Sequence, residues 1–193
     1  MSKILFTNTY FYRFDEKQWK TAQPYPPYGT MYAAAVMRER GDEVILFDNN
    51  LRESANEILP VLKNFQPDFL VIYDDGFNYL TKMCLTRMRE AAFQMACWGK
   101  AAGCTVIVNS SDSSDHYEEY LAQGADFVII GEGEITLREL ISSIESNITD
   151  HSGIPGLAFL VRNAEGGVRN FRVRSSECGV RNDSSTQISF SNP

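Results

Sequence analysis

Residues 3–7 (KILFT) form an apolar run that does not alternate with polar positions, and the same texture returns at 43–48, 68–73, 104–108 and 127–130. Short unbroken runs of this kind predict strands, and 68–73 reads as one covered on both faces, a central parallel strand. Between them the apolar residues fall back to helical spacing. Met31, Ala34, Ala35 and Met37 do so within 28–40, and Leu80, Cys84, Met88, Ala91, Met95 and Trp98 recur every three or four positions within 77–102. Each set lines one side of a helix. Pro27 suits a first helical turn, while Gly41 and Gly103 supply left-handed stops. A helix over 54–64 is expected to be kinked or shortened by Pro60. Further helices are predicted over 115–122, ended by Gly124, and over 135–144.

Strands alternating with helices predict a parallel sheet with helices on both faces and right-handed crossovers. The expected fold class is α/β: a flavodoxin-like, Rossmann-like three-layer sandwich around a five-stranded parallel sheet, spanning residues 1–146. Beyond it the pattern changes. Residues 147–174 read as a linker and an appended β-hairpin, with 156–161 pairing 168–173 across 163–167. Residues 175–193 are rich in Ser, Asn and Arg and carry too little apolar surface to order themselves, so a disordered tail is expected.

With 193 residues and 44% hydrophobic content the chain can bury one proper core. A net charge of −7, from 25 acidic against 18 basic residues, and the lack of a Lys/Arg stripe argue against nucleic acid as a partner. No apolar run approaches the ~18 residues of a membrane span, and the first run stops at Asn8, too early for a secretory leader. A cytoplasmic location is the expectation. Cys84, Cys97, Cys104 and Cys178 show neither Cys-x-x-Cys nor iron–sulfur spacing, which predicts buried thiols in a reducing compartment. His116 and His151 have no metal-ligand or triad spacing and are expected at the surface.

In an open parallel sheet, ligands bind beyond the carboxyl ends of the strands, near the point where strand order reverses. That rule selects four loops: Asn8-Thr9-Tyr10, Tyr73-Asp74-Asp75-Gly76-Phe77, residues 109–114, and Gly131-Glu132-Gly133-Glu134. The glycines permit close approach to a ligand. Glu134 falls at the positive start of the last helix and reads as a helix-end carboxylate, not as half of an acid/base pair. Asp74-Asp75 lacks the acidic partner after the first strand and the lysine after the fifth that a metal-binding phosphoreceiver needs. The turn after the first strand lacks the Ser/Thr/Gly-rich cradle of a flavin or nucleotide site. The aromatic cluster Tyr10, Phe11, Tyr12, Trp19, Tyr25 and Tyr28 either covers the core edge or walls a large planar ligand.

Three stretches in this order carry a resemblance: Pro26-Pro27-Tyr28-Gly29 with Met37-Arg38-Glu39-Arg40-Gly41, then Gln66-Pro67-Asp68, then Tyr120-Leu121 through Gly124-Ala125-Asp126 to Gly131-Glu132-Gly133-Glu134. Together with Ile154-Pro155-Gly156-Leu157-Ala158 they resemble the N-terminal cobalamin-binding domain of radical SAM enzymes. The resemblance implies a corrinoid held flat over the carboxyl ends of the strands, with its nucleotide tail descending beside the sheet. By position it assigns the lining to Asn8, Thr9, Tyr10, Tyr73, Asp74, Asp75, Asn109, Ser110, Ser111, Gly131, Glu132 and Gly133, with no catalytic residue and no metal ligand.

Three departures accompany it. The Cys-x-x-x-Cys-x-x-Cys of the family's barrel is absent, and so is the Asp-x-His-x-x-Gly by which other cobalamin proteins ligate cobalt. Where relatives carry Gly-Gly-Pro-His after the fourth strand, this chain has Asn109-Ser110-Ser111-Asp112. The expectation is a corrinoid-binding domain, stand-alone or truncated from a radical SAM enzyme, with a barrel in cis or in trans. The 4Fe–4S cluster and S-adenosylmethionine would belong only to a complete parent enzyme, whose chemistry would be methyl transfer or related radical reactions. A cofactor-free protein-interaction domain of the same fold is the alternative.

Overall fold

The computed structural model describes residues 1–21, 23–74, 85–162 and 168–174. Seven strands, β1 (Lys3–Thr7), β2 (Glu43–Phe47), β3 (Phe69–Tyr73), β4 (Thr105–Asn109), β5 (Phe127–Ile129), β6 (Leu157–Arg162) and β7 (Val168–Arg174), form one sheet in the order β2-β1-β3-β4-β5-β6-β7. The first five run parallel, as expected. The hairpin is no separate appendage: β6 pairs antiparallel with β5, and β7 with β6, extending the same sheet. Gly156 makes that return possible. Its φ of +71° and a would-be Cβ only 2.9 Å from the Ile130 carbonyl favour glycine there, and the Gly156 carbonyl accepts from the Ile130 amide at 2.8 Å.

The helices are α1 (Glu16–Thr21), α2 (Tyr28–Glu39), α3 (Leu59–Phe65), α4 (Leu85–Ala101), α5 (Ser111–Asp115), α6 (Tyr117–Ala122) and α7 (Glu134–Glu145). One core packs α2 and α7 against Ile4, Phe6, Phe69, Val71, Ile107 and Ile129. The opposite core packs α3, α4 and α6 against Leu5, Leu70, Ile72, Val106, Val108 and Val128. Successive strand residues therefore feed two different apolar layers, which is why the strands show no polar alternation.

Some local expectations shift. On α2 the buried stripe is Thr30, Ala33, Ala34 and Met37, while Met31 faces outward. Pro60 does not kink a continuous helix. A 3-10 turn (Ala55–Ile58) precedes α3, and Pro60 sits in the first turn of α3, where its missing N–H costs nothing. On α4, Met88, Ala91 and Met95 face the core, and Gly99 lets the helix lie close on Leu70 and Val106. The part of the long predicted helix that carries Leu80 and Cys84 lies outside the described residues, as do the predicted hairpin turn and tail.

Candidate functional site

At the carboxyl edge the strand ends are joined by side chains. Between β1 and β2, the Asn49 amide donates to Thr7 Oγ1 at 2.9 Å and to the Asn8 carbonyl, while Asn8 Nδ2 donates to Asp48 Oδ1 at 3.1 Å. Between β1 and β3, Thr9 donates its backbone N–H to Asp74 Oδ1 at 2.6 Å and its hydroxyl to Asp74 Oδ2 at 2.5 Å. Between β3 and β4, the Asp74 amide donates to the Asn109 carbonyl at 2.8 Å. Between β4 and β5, Asn109 Nδ2 donates to the carbonyls of Ile129 and Gly131, both at 3.0 Å.

The lining expected from the sequence thus divides. Asn8, Thr9, Tyr10, Tyr73, Asn109 and Ser110 are buried and Asp74 is half-buried. Ser111, Gly131 and Glu132 are exposed and Gly133 is buried. Asp75 lies outside the described residues, with Gly76 and Phe77. Four of the polar side chains singled out at this edge, Asn8, Thr9, Asp74 and Asn109, hold strand ends together. Among the described residues of the expected lining, those exposed are Ser111, Gly131 and Glu132. Asp48, Asn49 and Asn50, which follow β2 at the same edge, were not singled out from the sequence. Their signal was a polar triplet directly after an apolar strand.

At the corner of β3 and α7, burial, reinforced by the charge of Glu134, raises the Tyr73 phenol above its ordinary pKa. Thr30 of α2 donates to the Tyr73 carbonyl at 2.5 Å. A Cβ on Gly133 would lie 3.0 Å from both Tyr73 Cε2 and the Tyr73 hydroxyl, and 3.1 Å from Asn109 Nδ2. Glycine is there for contact, since its φ of −106° suits any residue. Gly131, at φ +85°, is the conformational one. Glu134 occupies the first turn of α7, the helix-end position expected for it.

After β4 the expected loop is instead a cap and a turn of helix. Ser110 and Ser113 exchange hydrogen bonds at 2.8 and 2.9 Å as a capping box for α5. Asp112 then receives a fork from Arg89 at 2.6 and 2.8 Å and the Tyr120 hydroxyl at 2.8 Å. Burial opposes the Asp112 charge, but Arg89 and Tyr120 outweigh it and hold the carboxyl below the usual range. Burial and the adjacent carboxylate raise the Tyr120 phenol.

The aromatic cluster mainly covers the core edge. Phe11 and Tyr12 are fully buried, Tyr10 nearly so, and Tyr10 stacks on Tyr25 with centroids 5.9 Å apart. Trp19 and Tyr28 stay exposed, and the Arg13 guanidinium lies 4.3 Å over the Trp19 ring.

Of the cysteines expected to be buried, Cys104 is, and burial together with Asp68 pushes its thiol up to about 11. Cys97 is exposed because the buried stripe of α4 turns it outward; Cys84 and Cys178 lie outside the described residues. His151, expected at the surface, is 8% exposed, with its ring edge-on to Phe127 and Phe159 and Nδ1 3.0 Å from Ser143 Oγ. His116 is half-buried. An open groove of about 1130 Å³ runs beside His151, lined by Thr105, Asp126, Phe127 and Ile144 at the amino edge of the sheet, the end opposite the four loops. Among the described residues no group of three or more His, Cys, Asp or Glu could hold a metal ion. No helix there is long and apolar enough to cross a membrane.

No family model and no curated protein matches the sequence. Among solved structures the chain is similar to the radical S-adenosylmethionine methyltransferase TsrM of Kitasatospora setae with cobalamin and a 4Fe–4S cluster bound, at 19% identity and a TM-score of 0.64. That overlay covers 98% of this chain and 32% of TsrM. It is also similar to the cobalamin-dependent S-adenosylmethionine radical enzyme OxsB with aqua-cobalamin and S-adenosylmethionine bound, at 16% identity and a TM-score of 0.61 over 92% of this chain and 22% of OxsB. The chain therefore spans about a third or less of these neighbours, and it has the Rossmann-like fold that cobalamin-dependent radical SAM enzymes contain within part of their length.

Proposed function

We propose that this chain binds a corrinoid over the carboxyl edge of its sheet, as the cobalamin-holding part of a radical SAM system whose barrel is supplied in cis or in trans. The observation that carries the reading is the overlay of nearly the whole chain on part of TsrM, which has cobalamin bound. The exposed rim fits the ring in chemistry. Glu132 accepts, the Ser111 hydroxyl donates or accepts, and the loop at Gly131 carries no side chain to hold a flat ligand off; corrin side-chain amides can pair with all three. The residues beneath, Asn8, Thr9, Asp74 and Asn109, fix the height and spacing of that rim. When bound, cobalamin would supply a carrier for a methyl group or a partner for radical chemistry. Cluster and S-adenosylmethionine chemistry would reside in the barrel, because the four cysteines here lack the cluster spacing.

Mixing the purified chain with hydroxocobalamin and desalting it tests the reading. Folded protein that retains the corrinoid absorbance, and loses it on replacing Gly131 by a bulky residue, supports it. Folded protein that emerges colourless overturns it. One observation favours the second reading, a cofactor-free interaction domain: Tyr28, Met31 and Tyr32 are 73, 44 and 58% exposed side by side on α2. In that case the protein stays colourless, while Tyr32→Ala weakens capture of a radical SAM barrel added in trans.

A further inference from the structure

Between α7 and β6 the chain returns from the amino edge of the sheet to the carboxyl edge through residues 147–156. This strap is fastened differently at its two ends. At the amino edge Asn147 reverses the chain at φ +56°, and Ile148 donates its N–H to the Ser143 carbonyl at 3.0 Å. His151 follows, buried edge-on to Phe127 of β5 and Phe159 of β6 at centroid distances of 5.2 and 5.9 Å, with Nδ1 3.0 Å from Ser143 Oγ of α7. One side chain thus touches β5, β6 and α7. At the carboxyl edge the Pro155 carbonyl accepts from Thr136 Oγ1 in the first turn of α7 at 3.1 Å, and the Gly156 carbonyl accepts from the Ile130 amide at 2.8 Å. Ile130 directly precedes exposed Gly131. The amino-edge fastening suits a neutral imidazole and not a charged one. Its neighbours there are two phenyl rings and a serine hydroxyl, which cannot replace the hydration of an imidazolium. The charged groups that line the groove beside it are Asp150 of the strap, and Lys100 of α4 with Asp126 before β5, which pair with each other at 2.7 Å. Asp150 accepts the Ser152 amide at 2.9 Å; α7 presents Ser143 and Ile144 on this side, and β6 presents Phe159 and Val161. Burial accordingly lowers the imidazole pKa against a weaker opposing pull from Asp150.

We infer that His151 is a proton-sensitive latch: protonation draws its ring out from between Phe127 and Phe159, and the strap then opens locally, releasing Ile130 and the first turn of α7 beside Gly131. The latch stands on the contacts of the strap; only its consequence for a ligand rests on the corrinoid reading. Its hold is complete above the ordinary histidine value of about 6.5 and is lost as pH falls through the lower value of the latched form. With the released imidazole titrating near about 6.5, lowering pH from about 7.5 to about 5.5 favours the open strap by up to about tenfold.

Amide hydrogen exchange of the whole chain, read residue by residue by NMR at these two pH values and corrected for the intrinsic rate, tests the latch. Low urea separates local opening, which hardly responds to it, from global unfolding, which does. The Ile130 and Ile154 amides should open more readily than those of Leu5 and Leu70, without urea dependence, and about three- to tenfold more often at the lower pH. His151→Phe keeps a ring between the two phenyls and cannot take the proton, so its strap should open equally at both pH values; it retains His116, the other histidine of the chain. Strap amides that open only together with the core, or a pH response that survives in His151→Phe, overturn the latch. If that variant does not fold, the exchange of the parent at the two pH values decides. Hydroxocobalamin added at about 100 times its Kd should then suppress opening at Ile130 by about a hundredfold. Protein that retains the corrinoid but opens as before overturns the link to the carboxyl edge, whereas protein that stays colourless overturns the corrinoid reading and leaves the latch standing on its exchange data.

Discussion

Replacing Asn109 tests whether the rim is held from beneath. Its amide nitrogen donates to two carbonyls at 3.0 Å, one on fully buried Ile129 and one on exposed Gly131. Each bond contributes about 1 kcal/mol net, and a buried carbonyl left without its donor adds about 1–2 kcal/mol, so Asn109→Ala should cost about 2–4 kcal/mol. The Gly131 carbonyl can turn to water, which keeps the cost near the lower end. With a urea m-value of about 2 kcal/mol/M, the unfolding midpoint should fall by about 1–2 M at unchanged m. Asn109→Asp is the sharper variant. It preserves size but turns a donor into an acceptor facing two carbonyl oxygens, so at neutral pH it should be no more stable than Asn109→Ala. Burial beside two carbonyls raises the pKa of the introduced carboxyl in the folded state. Its contribution is then fully present below the unfolded value of about 3.9 and is lost as pH rises through the folded value. The gap between the Asp and Ala variants must therefore change in favour of Asp as pH is lowered. If Asn109→Asp unfolds at neutral pH within about 0.5 kcal/mol of the parent, the amide is not the donor that clips β4 to β5, and the reasoning fails.

Gly99→Ala gains about 1 kcal/mol of helix propensity. Its Cβ, however, would sit 2.5 Å from Leu70 Cδ2 and 3.1 Å from Val106 Cγ2, and overpacking costs about 1–3 kcal/mol; a net loss by urea unfolding is expected, and a gain would refute the close approach of α4 to the sheet. Arg89→Ala should cost about 1–3 kcal/mol near neutral pH, discounted for the partial exposure of Arg89. Because the Asp112 carboxyl is held below its usual range, the parent keeps this contribution above pH about 4 and loses it on further acidification; urea titrations at several pH values should show that acid limb flattened in the variant. Burial depresses the His151 pKa against a weaker opposing pull from Asp150, so the parent loses stability as pH falls from about 6.5 through the lower folded value. His151→Phe keeps rings between Phe127 and Phe159, and its thermal midpoint should lack that dependence.

The parallel core was legible because β1, β3 and β4 are buried on both faces, which writes an unbroken apolar run into the sequence; the edge strand β2 carries a similar run although it is half exposed. What periodicity could not fix was direction. Met31 and Met37 both suit a helical stripe, yet only Met37 turns inward, because the sheet meets the Thr30–Ala33–Ala34–Met37 side. Ser110 to Ser114 looked like a loop because serine and aspartate disfavour helix interiors, but the same side chains can start a helix when two serines cap each other. At the site, topology fixed where the loops must lie. It did not say whether their polar groups face a ligand or one another. Asn8 finds Asp48, Thr9 finds Asp74 and Asn109 finds Gly131, over separations of 40, 65 and 22 residues. His151 likewise became a core residue through Phe127 and Phe159, brought to it by two neighbouring strands.

The strand order has a consequence for how the chain can be assembled as it is made. Only β2 crosses to the far side of β1; β3, β4, β5, β6 and β7 then join the other side one after another in the order of their synthesis. Each strand that emerges finds its partner already present, and no later segment has to be threaded between two earlier ones. The sheet can grow like a row laid from one end, with a single advancing edge that the next stretch of chain covers. Until β6 arrives, that edge is β5, an apolar strand with open backbone groups, so the nascent chain is most open to pairing with another copy of itself in the interval between the emergence of β5 from the ribosome and that of β6.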